Sequence, residues 1–265
     1  MEPAAGHLDA SHLGAGPALL GTSRRPLPPE PAPLPPRRAA RECGRQAAGV
    51  LSVTQVLGVV LAGGRGRRLG GGEPKAWARL AGRTLLERAV GTLGPLCDRL
   101  VVAAPPGLEL PPSPAARVDD LPDSEGPLSG LVAALGSRPF GSAIVLGVDF
   151  PLMRPVMLDY LLRRLATEGA AAVVPAPGGV WQPLAAVYDP RAVPALAGRL
   201  AAGERSVTAA VRTLAPLVVA DGDLEGIEGG LENFFNVNTP RDLAEAEFRL
   251  RSRATPEPAR SERAR

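Results

Sequence analysis

A run of glycines and cations follows the first strongly apolar segment: Leu61-Ala62-Gly63-Gly64-Arg65-Gly66-Arg67-Arg68-Leu69-Gly70-Gly71-Gly72-Glu73-Pro74-Lys75. Glycine lets backbone N–H groups come close to phosphate oxygens, and Arg65, Arg67, Arg68 and Lys75 can neutralise the charge of a polyphosphate. The segment is not a Walker A loop, because Lys75 follows Pro74 and precedes Ala76 where glycine and Ser or Thr are required. Nor is it a dinucleotide fingerprint, since Gly64-Arg65-Gly66-Arg67-Arg68-Leu69 ends in leucine. A flexible connection is the competing reading of such a loop, and the composition speaks against it. Of the 30 basic residues only Lys75 is lysine. A chain that uses arginine everywhere else keeps lysine where a compact ammonium is needed in place of a planar fork.

A second signal is Ile144-Val145-Leu146-Gly147-Val148-Asp149-Phe150-Pro151, an apolar strand that ends in a carboxylate. Asp149 can hold Mg²⁺ against substrate phosphates, or it can simply terminate the strand. Asp119 and Asp120 form another acidic pair, either functional or loop-capping. His7 and His12 both precede the patterned sequence, which removes histidine as a base or metal ligand of the folded part. Any chemistry must rest on carboxylates, amides, cations and backbone.

These residues need a scaffold, and the pattern of short apolar runs alternating with amphipathic stretches predicts an α/β fold. Val56–Leu61, Leu100–Ala103, Ala143–Val148, Ala171–Val174, Trp181–Tyr188 and Leu217–Ala220 read as strands, with a short one around Val118. Thr84–Leu93, Gly126–Leu135, Pro155–Ala166, Arg191–Ala201, Ser206–Thr213 and Pro240–Leu250 read as helices. The order predicts a Rossmann-like, doubly wound, mostly parallel sheet with flanking helices and a site at the carboxyl ends of the strands. Residues 56–250 are read as one domain. Residues 1–55, rich in Pro, Ala and Arg, and residues 251–265 are read as disordered tails, because such composition cannot offset its ordering entropy by burial.

Composition excludes several classes. A formal charge of +3 with 3% aromatics gives neither a basic stripe nor a stacking surface for nucleic acid. No apolar run approaches the roughly 20 residues of a membrane span. Cys43 and Cys97, far apart, indicate neither a disulfide framework nor a zinc site, which fits a protein of the cytoplasm.

Four motifs in order resemble one family. Leu61-Ala62-Gly63-Gly64 with Arg68-Leu69-Gly70 and Lys75, then Gly126-Pro127-Leu128-Ser129-Gly130, then Asp149 before a proline turn, then Phe235-Asn236-Val237-Asn238-Thr239-Pro240 with Asp242-Leu243, are similar to those of the molybdenum cofactor guanylyltransferases. The resemblance spans nearly all of residues 56–250. It implies a nucleotide-diphospho-sugar transferase-like fold and transfer of GMP from GTP to the phosphate of molybdopterin or Mo-molybdopterin, with product passing to molybdoenzyme-maturation proteins. By the same resemblance Leu61, Ala62, Gly63 and Gly64 cradle the nucleotide, Lys75 and Arg68 balance phosphate charge, Asp120 lies at the nucleotide, and Asp149 holds Mg²⁺. Gln182, Asn236 and Asn238 would face the pterin substrate; the asparagines could instead cap the Pro240 helix or fix a turn. Two departures leave base recognition open. Ala103 stands where the family can carry asparagine, and the loop between Asp120 and Gly126 is one residue short. CMP transfer, another phosphate acceptor, and a non-catalytic nucleotide-binding adaptor remain as alternatives.

If position 75 requires an ammonium, Lys75→Arg loses most activity although the charge is retained. Turnover of this variant close to that of the parent chain would show that any cation suffices there.

Overall fold

The computed structural model describes residues 55–63, 73–122, 124 and 126–254. Strand β1 (Val56–Leu61) is buried at all six positions, as expected of a strand covered on both faces. It pairs in parallel with β4 (Arg99–Ala104) on one side and β6 (Ser142–Gly147) on the other. Strand β5 (Ala116–Asp119) continues the parallel array beyond β4. On the other flank β8 (Ala185–Tyr188) runs antiparallel to both β6 and β7 (Ala172–Pro175), and β9 (Leu217–Val219) pairs in parallel with β7. The sheet order is β5-β4-β1-β6-β8-β7-β9. A separate hairpin pairs β2 (Arg79–Leu80) with β3 (Arg83–Thr84).

Alternate residues of each strand face opposite layers, and the core divides accordingly. Val56, Val60, Ile144 and Leu146 belong to one apolar cluster with helices α1 (Leu85–Leu93) and α3 (Pro155–Glu168). Leu57, Val59, Ala143 and Val145 belong to the other, with α2 (Pro127–Gly136), α4 (Ala192–Ala201) and α5 (Val207–Arg212). This two-sided core makes the sheet doubly wound. Two further helices, α6 (Asp221–Glu225) and α7 (Pro240–Ala254), follow β9.

Local sequence explains most of the boundaries. Thr84 and Glu87 form a reciprocal capping box at the start of α1. Gly126 precedes α2 at φ 102°, a conformation disfavoured for residues with a Cβ, and Pro127 supplies the first helical position without needing an N–H partner. Two expected element bounds need correction. The strand expected over Trp181–Tyr188 is confined to Ala185–Tyr188, because Pro183 has no N–H to donate and the Gln182 N–H is already bonded to the Pro175 carbonyl. The last helix runs to Ala254, not Leu250, supported by the i,i+4 pairs Arg249–Glu245 and Arg251–Glu247. The hairpin β2–β3 and the five-residue α6 were not expected, since elements so short carry no periodicity. Residues 251–254, read as the start of the second tail, belong to α7, and the rest of the segments read as tails, 1–54 and 255–265, lie outside the described residues.

Gly58, opposite Leu100 in the β1–β4 ladder, sits where a Cβ would run into the Leu100 and Cys97 side chains. Gly58→Ala should therefore destabilise the protein by about 1–3 kcal/mol through overpacking, despite the entropy that alanine removes from the unfolded chain. Urea denaturation checks this; a midpoint equal to or above that of the parent would mean the two side chains yield freely.

Candidate functional site

The carboxyl ends of β1, β4, β5 and β6 open onto a single cleft of about 580 Å³. Leu61 and Gly63 enter it from β1, Asp120 from just beyond β5, and Val148 and Asp149 from just beyond β6. Pro105 and Pro106, following β4, form part of its wall, and so does the amino end of α2 through Gly126, Pro127 and Gly130. Leu184 reaches the cleft because β8 runs antiparallel to β6, so its leading end lies where β6 finishes. The Tyr188 hydroxyl, fully buried, donates to the Pro183 carbonyl at 2.6 Å and fixes that approach from below. Burial pushes the Tyr188 phenol far above its ordinary pKa, which keeps it a donor.

Four side chains close a ring at the cleft. Lys75, on the 3₁₀ turn Lys75–Trp77 and only 8% exposed, donates from Nζ to Asn238 Oδ1 at 2.8 Å. Asn238 Nδ2 donates to Asn236 Oδ1, and Asn236 Nδ2 donates to Asp149 Oδ2 at 2.9 Å. Asp149 Oδ2 lies 3.8 Å from Lys75 Nζ, completing the circuit by charge attraction. The backbone reinforces it: the Val237 N–H donates to the Asp149 carbonyl, and the Asp242 carboxylate accepts from the Asn238 and Thr239 N–H groups at 2.9 and 2.8 Å. Burial lowers the Lys75 pKa more than the carboxylates of Asp149 and Asp242 raise it. A cation held at such a cost from burial gains when a polyphosphate arrives.

Asp120 presents a different balance. Its carboxyl lies against the first turn of α2, where a Cβ on Gly130 would come within 2.8 Å of Oδ1. Burial and the neighbouring Asp119 raise its pKa, opposed by Arg117. Ser129 Oγ accepts the Leu121 N–H at 3.0 Å and ties the following loop to the same helix.

A divalent cation fits here in one form. Among the described residues no group of three or more His, Cys, Asp and Glu could hold a metal. Asp149 offers one carboxylate whose Oδ1 lies over Gly147, in space that a Cβ would fill. A single carboxylate matches Mg²⁺, which keeps several waters and takes remaining ligands from substrate phosphates.

The structure thus brings together Leu61, Gly63, Lys75, Asp120 and Asp149 at the cleft, with Asn236 and Asn238 joined to it through the ring. Ala62, fully buried, hydrogen-bonds through its N–H to the Ala103 carbonyl, so it contributes as backbone scaffold. Gln182 is on the turn into β8 and is not among the lining residues, although its neighbour Leu184 is. Gly64 and Arg68 lie outside the described residues, as do Arg65 and Arg67. The asparagines do not cap α7. Thr239 does, its Oγ1 accepting the Asp242 N–H at 3.2 Å. Sequence reading passed over Pro105, Pro106 and Leu184, whose roles depend only on which strand ends adjoin. It also gave no task to Asp242, although the spacing Thr239-Pro240-Arg241-Asp242 is that of a capping box.

Residues 58–217 match the model of the MobA-like NTP transferase domain. A molybdenum cofactor guanylyltransferase from Desulfosudis oleivorans is 30% identical over 197 residues, covering 74% of this chain and 96% of the relative. A probable molybdenum cofactor guanylyltransferase from Natronomonas pharaonis is 34% identical, covering 73% of this chain and 97% of the relative. The crystal structure of molybdopterin-guanine dinucleotide biosynthesis protein A from Archaeoglobus fulgidus superposes with a TM-score of 0.63 at 27% identity, covering 74% of this chain and 99% of that one. The 2-C-methyl-D-erythritol 4-phosphate cytidylyltransferase of Thermus thermophilus, at 23% identity and a TM-score of 0.54 over 73% of this chain and 98% of its own, shares the fold alone. That fold, a mostly parallel seven-stranded sheet with flanking helices, is the nucleotide-diphospho-sugar transferase type.

The raised pKa of Asp120 has a definite consequence for stability. The native state holds this proton more tightly than the unfolded chain does, so stability falls as pH rises from about 3.9 through the raised native value, and stays lower above it. Asp120→Asn is accordingly expected to melt at a higher temperature than the parent at pH 7, with the gap closing as pH drops below about 3.9. A gap that is absent at pH 7, or that widens in acid, would contradict the strained carboxylate.

Proposed function

The chain belongs to the MobA-like NTP transferase family, and from that premise we propose that it transfers GMP from GTP to the phosphate of molybdopterin, releasing pyrophosphate. The observation that carries this reading is the ring of Lys75, Asn238, Asn236 and Asp149 at the carboxyl edge of the sheet. It sets a buried ammonium beside a carboxylate that has room for a divalent cation. Relatives of nearly the same domain length named as guanylyltransferases support the choice of donor and acceptor.

In the proposed reaction an oxygen of the molybdopterin phosphate attacks the α-phosphorus of GTP. The new P–O bond forms as the bond to the β-phosphate bridging oxygen breaks, and that electron pair leaves with pyrophosphate. The attacking phosphate is already ionised, so no general base is required, consistent with histidines found only at positions 7 and 12. Lys75 balances charge moving onto the leaving group, and Arg68, on the glycine-rich loop, serves the same end. Leu61, Ala62, Gly63 and Gly64 cradle the nucleotide in this reading, with Asp120 beside it. Asp149 would hold Mg²⁺, which when bound would neutralise phosphate oxygens. Asn236 and Asn238 address the acceptor, and Gln182 extends that side from the turn into β8. Residues 56–250 constitute the catalytic domain in this reading. Among the described residues no helix is long and apolar enough to cross a membrane, and we place the reaction in the cytoplasm, where the product would pass to molybdoenzyme-maturation proteins.

Pyrophosphate release in the presence of Mg²⁺ and molybdopterin, with GTP, CTP, ATP and UTP offered in parallel, tests the proposal. GTP-selective release supports it; CTP-selective release would keep the mechanism and change the donor, and silence with all four would refute catalysis on this acceptor. Asp149→Asn, which can still accept the Asn236 hydrogen bond, should retain the fold and lose roughly 3–4 kcal/mol of transition-state stabilisation, a rate factor of a few hundred. Unaltered dependence on Mg²⁺ in that variant would remove Asp149 as the metal carboxylate.

A further inference from the structure

Among the described residues the Lys75 ammonium donates one hydrogen bond, to Asn238 Oδ1, so whatever fixes Asn238 bears directly on where the cation sits. Asn238 is a loop residue with no helical or strand partner for its N–H. That N–H goes to Asp242 Oδ2, and the same oxygen accepts the Thr239 N–H. Asp242 therefore does two separable things. Its bond to Thr239, with the return bond from its own N–H to Thr239 Oγ1, caps α7; its bond to Asn238 lies outside the cap and holds the residue that accepts from Lys75.

We propose that Asp242 is a positioning residue that, by holding the Asn238 backbone, sets the Lys75 ammonium at the cleft. The length of the side chain is what matters, since one oxygen must reach two consecutive N–H groups at 2.9 and 2.8 Å. Asp242→Asn keeps that reach with a neutral oxygen. Asp242→Glu keeps the charge and the ability to cap Thr239, because glutamate is the usual partner in a capping box, but it moves the carboxylate by one methylene. Thr239→Ala removes part of the cap and leaves the Asn238 bond in place.

Lys75 is the only lysine of the 265 residues, so the full chain labelled with ¹³C at lysine Cε gives one NMR signal that reports this ammonium directly. In the parent that signal should be displaced from the position of free lysine. We expect Asp242→Glu and Asp242→Ala to return it toward that position, Thr239→Ala to leave it near the parental one, and Asp242→Asn, which loses the charge but keeps the reach, to move it less than Asp242→Glu. The kinetic counterpart rests on the guanylyl-transfer reading. Asp242→Glu should lower kcat for pyrophosphate release about tenfold with little change in KM for GTP, Asp242→Asn should recover most of it, and adding Asp242→Glu to Lys75→Ala should cost almost nothing further. A lysine signal unmoved by Asp242→Glu overturns the proposal, as does one moved equally by Thr239→Ala. Loss in Asp242→Asn with none in Asp242→Glu would assign the effect to charge and refute positioning. If the parent released no pyrophosphate while the NMR pattern held, the guanylyl-transfer reading would fail and the positioning role would stand.

Discussion

The arrangement at the cleft depends on keeping a lysine ammonium nearly out of water. Burial of an uncompensated charge is costly, and a lysine so placed either finds partners or loses its proton. Lys75 finds Asn238 at hydrogen-bond distance and Asp149 at 3.8 Å, partners that come from segments far along the chain. The attraction to Asp149 is too long to be a hydrogen bond, so the ammonium is directed by the amide and only balanced by the carboxylate. A bound polyphosphate would add further counter-charge to the same ammonium.

The ring is possible because of how the sheet is ordered. Parallel neighbours β1 and β6 finish side by side, which sets Leu61 beside Val148 and Asp149; the Val148 N–H bonds to the Leu61 carbonyl there. The chain then travels through β7, β8 and β9 before the segment leading into α7 returns, and the Val237 N–H closes on the Asp149 carbonyl. An antiparallel β8 is needed for the same edge to receive Leu184, since a parallel strand would have sent its leading end to the opposite side of the sheet. The Tyr188 hydroxyl bond to Pro183 commits one fully buried polar group to that placement.

Binding function and stability pull against each other at this edge. Asp120 is held beside α2 with its pKa raised, and Lys75 is held with its pKa lowered, so both charged forms are less favourable here than in an unfolded chain. The two apolar clusters on either side of the sheet offset these costs, each fully buried aliphatic side chain contributing about 1.5–3 kcal/mol. Glycine is used where a side chain would occupy the ligand's or the carboxylate's space, at Gly130 against Asp120 and at Gly147 against Asp149. Strained electrostatics on a rigid apolar base is the usual composition of a binding site.

Much of this was legible in the residues themselves. Apolar runs such as Val56–Leu61 and Ile144–Leu146 announce buried parallel strands because burial on both faces removes the need for alternation, and a lone lysine among arginines marked position 75 without any structure. Sequence similarity then named the family. The tertiary structure decided the rest. Whether Asn236 and Asn238 cap a helix or reach the cleft could not be read locally, since both roles use the same amides; the fold gave the cap to Thr239 and the asparagines to Lys75 and Asp149. Family resemblance sets Gln182 on the acceptor side, and the structure puts it at the start of the turn that leads through Leu184, a lining residue of the cleft, into β8. Sequence periodicity determines which face of an element is buried, because that depends on residues two to four apart. Which strand ends meet depends on pairings between segments separated by tens to hundreds of residues, and only the folded chain brings those together.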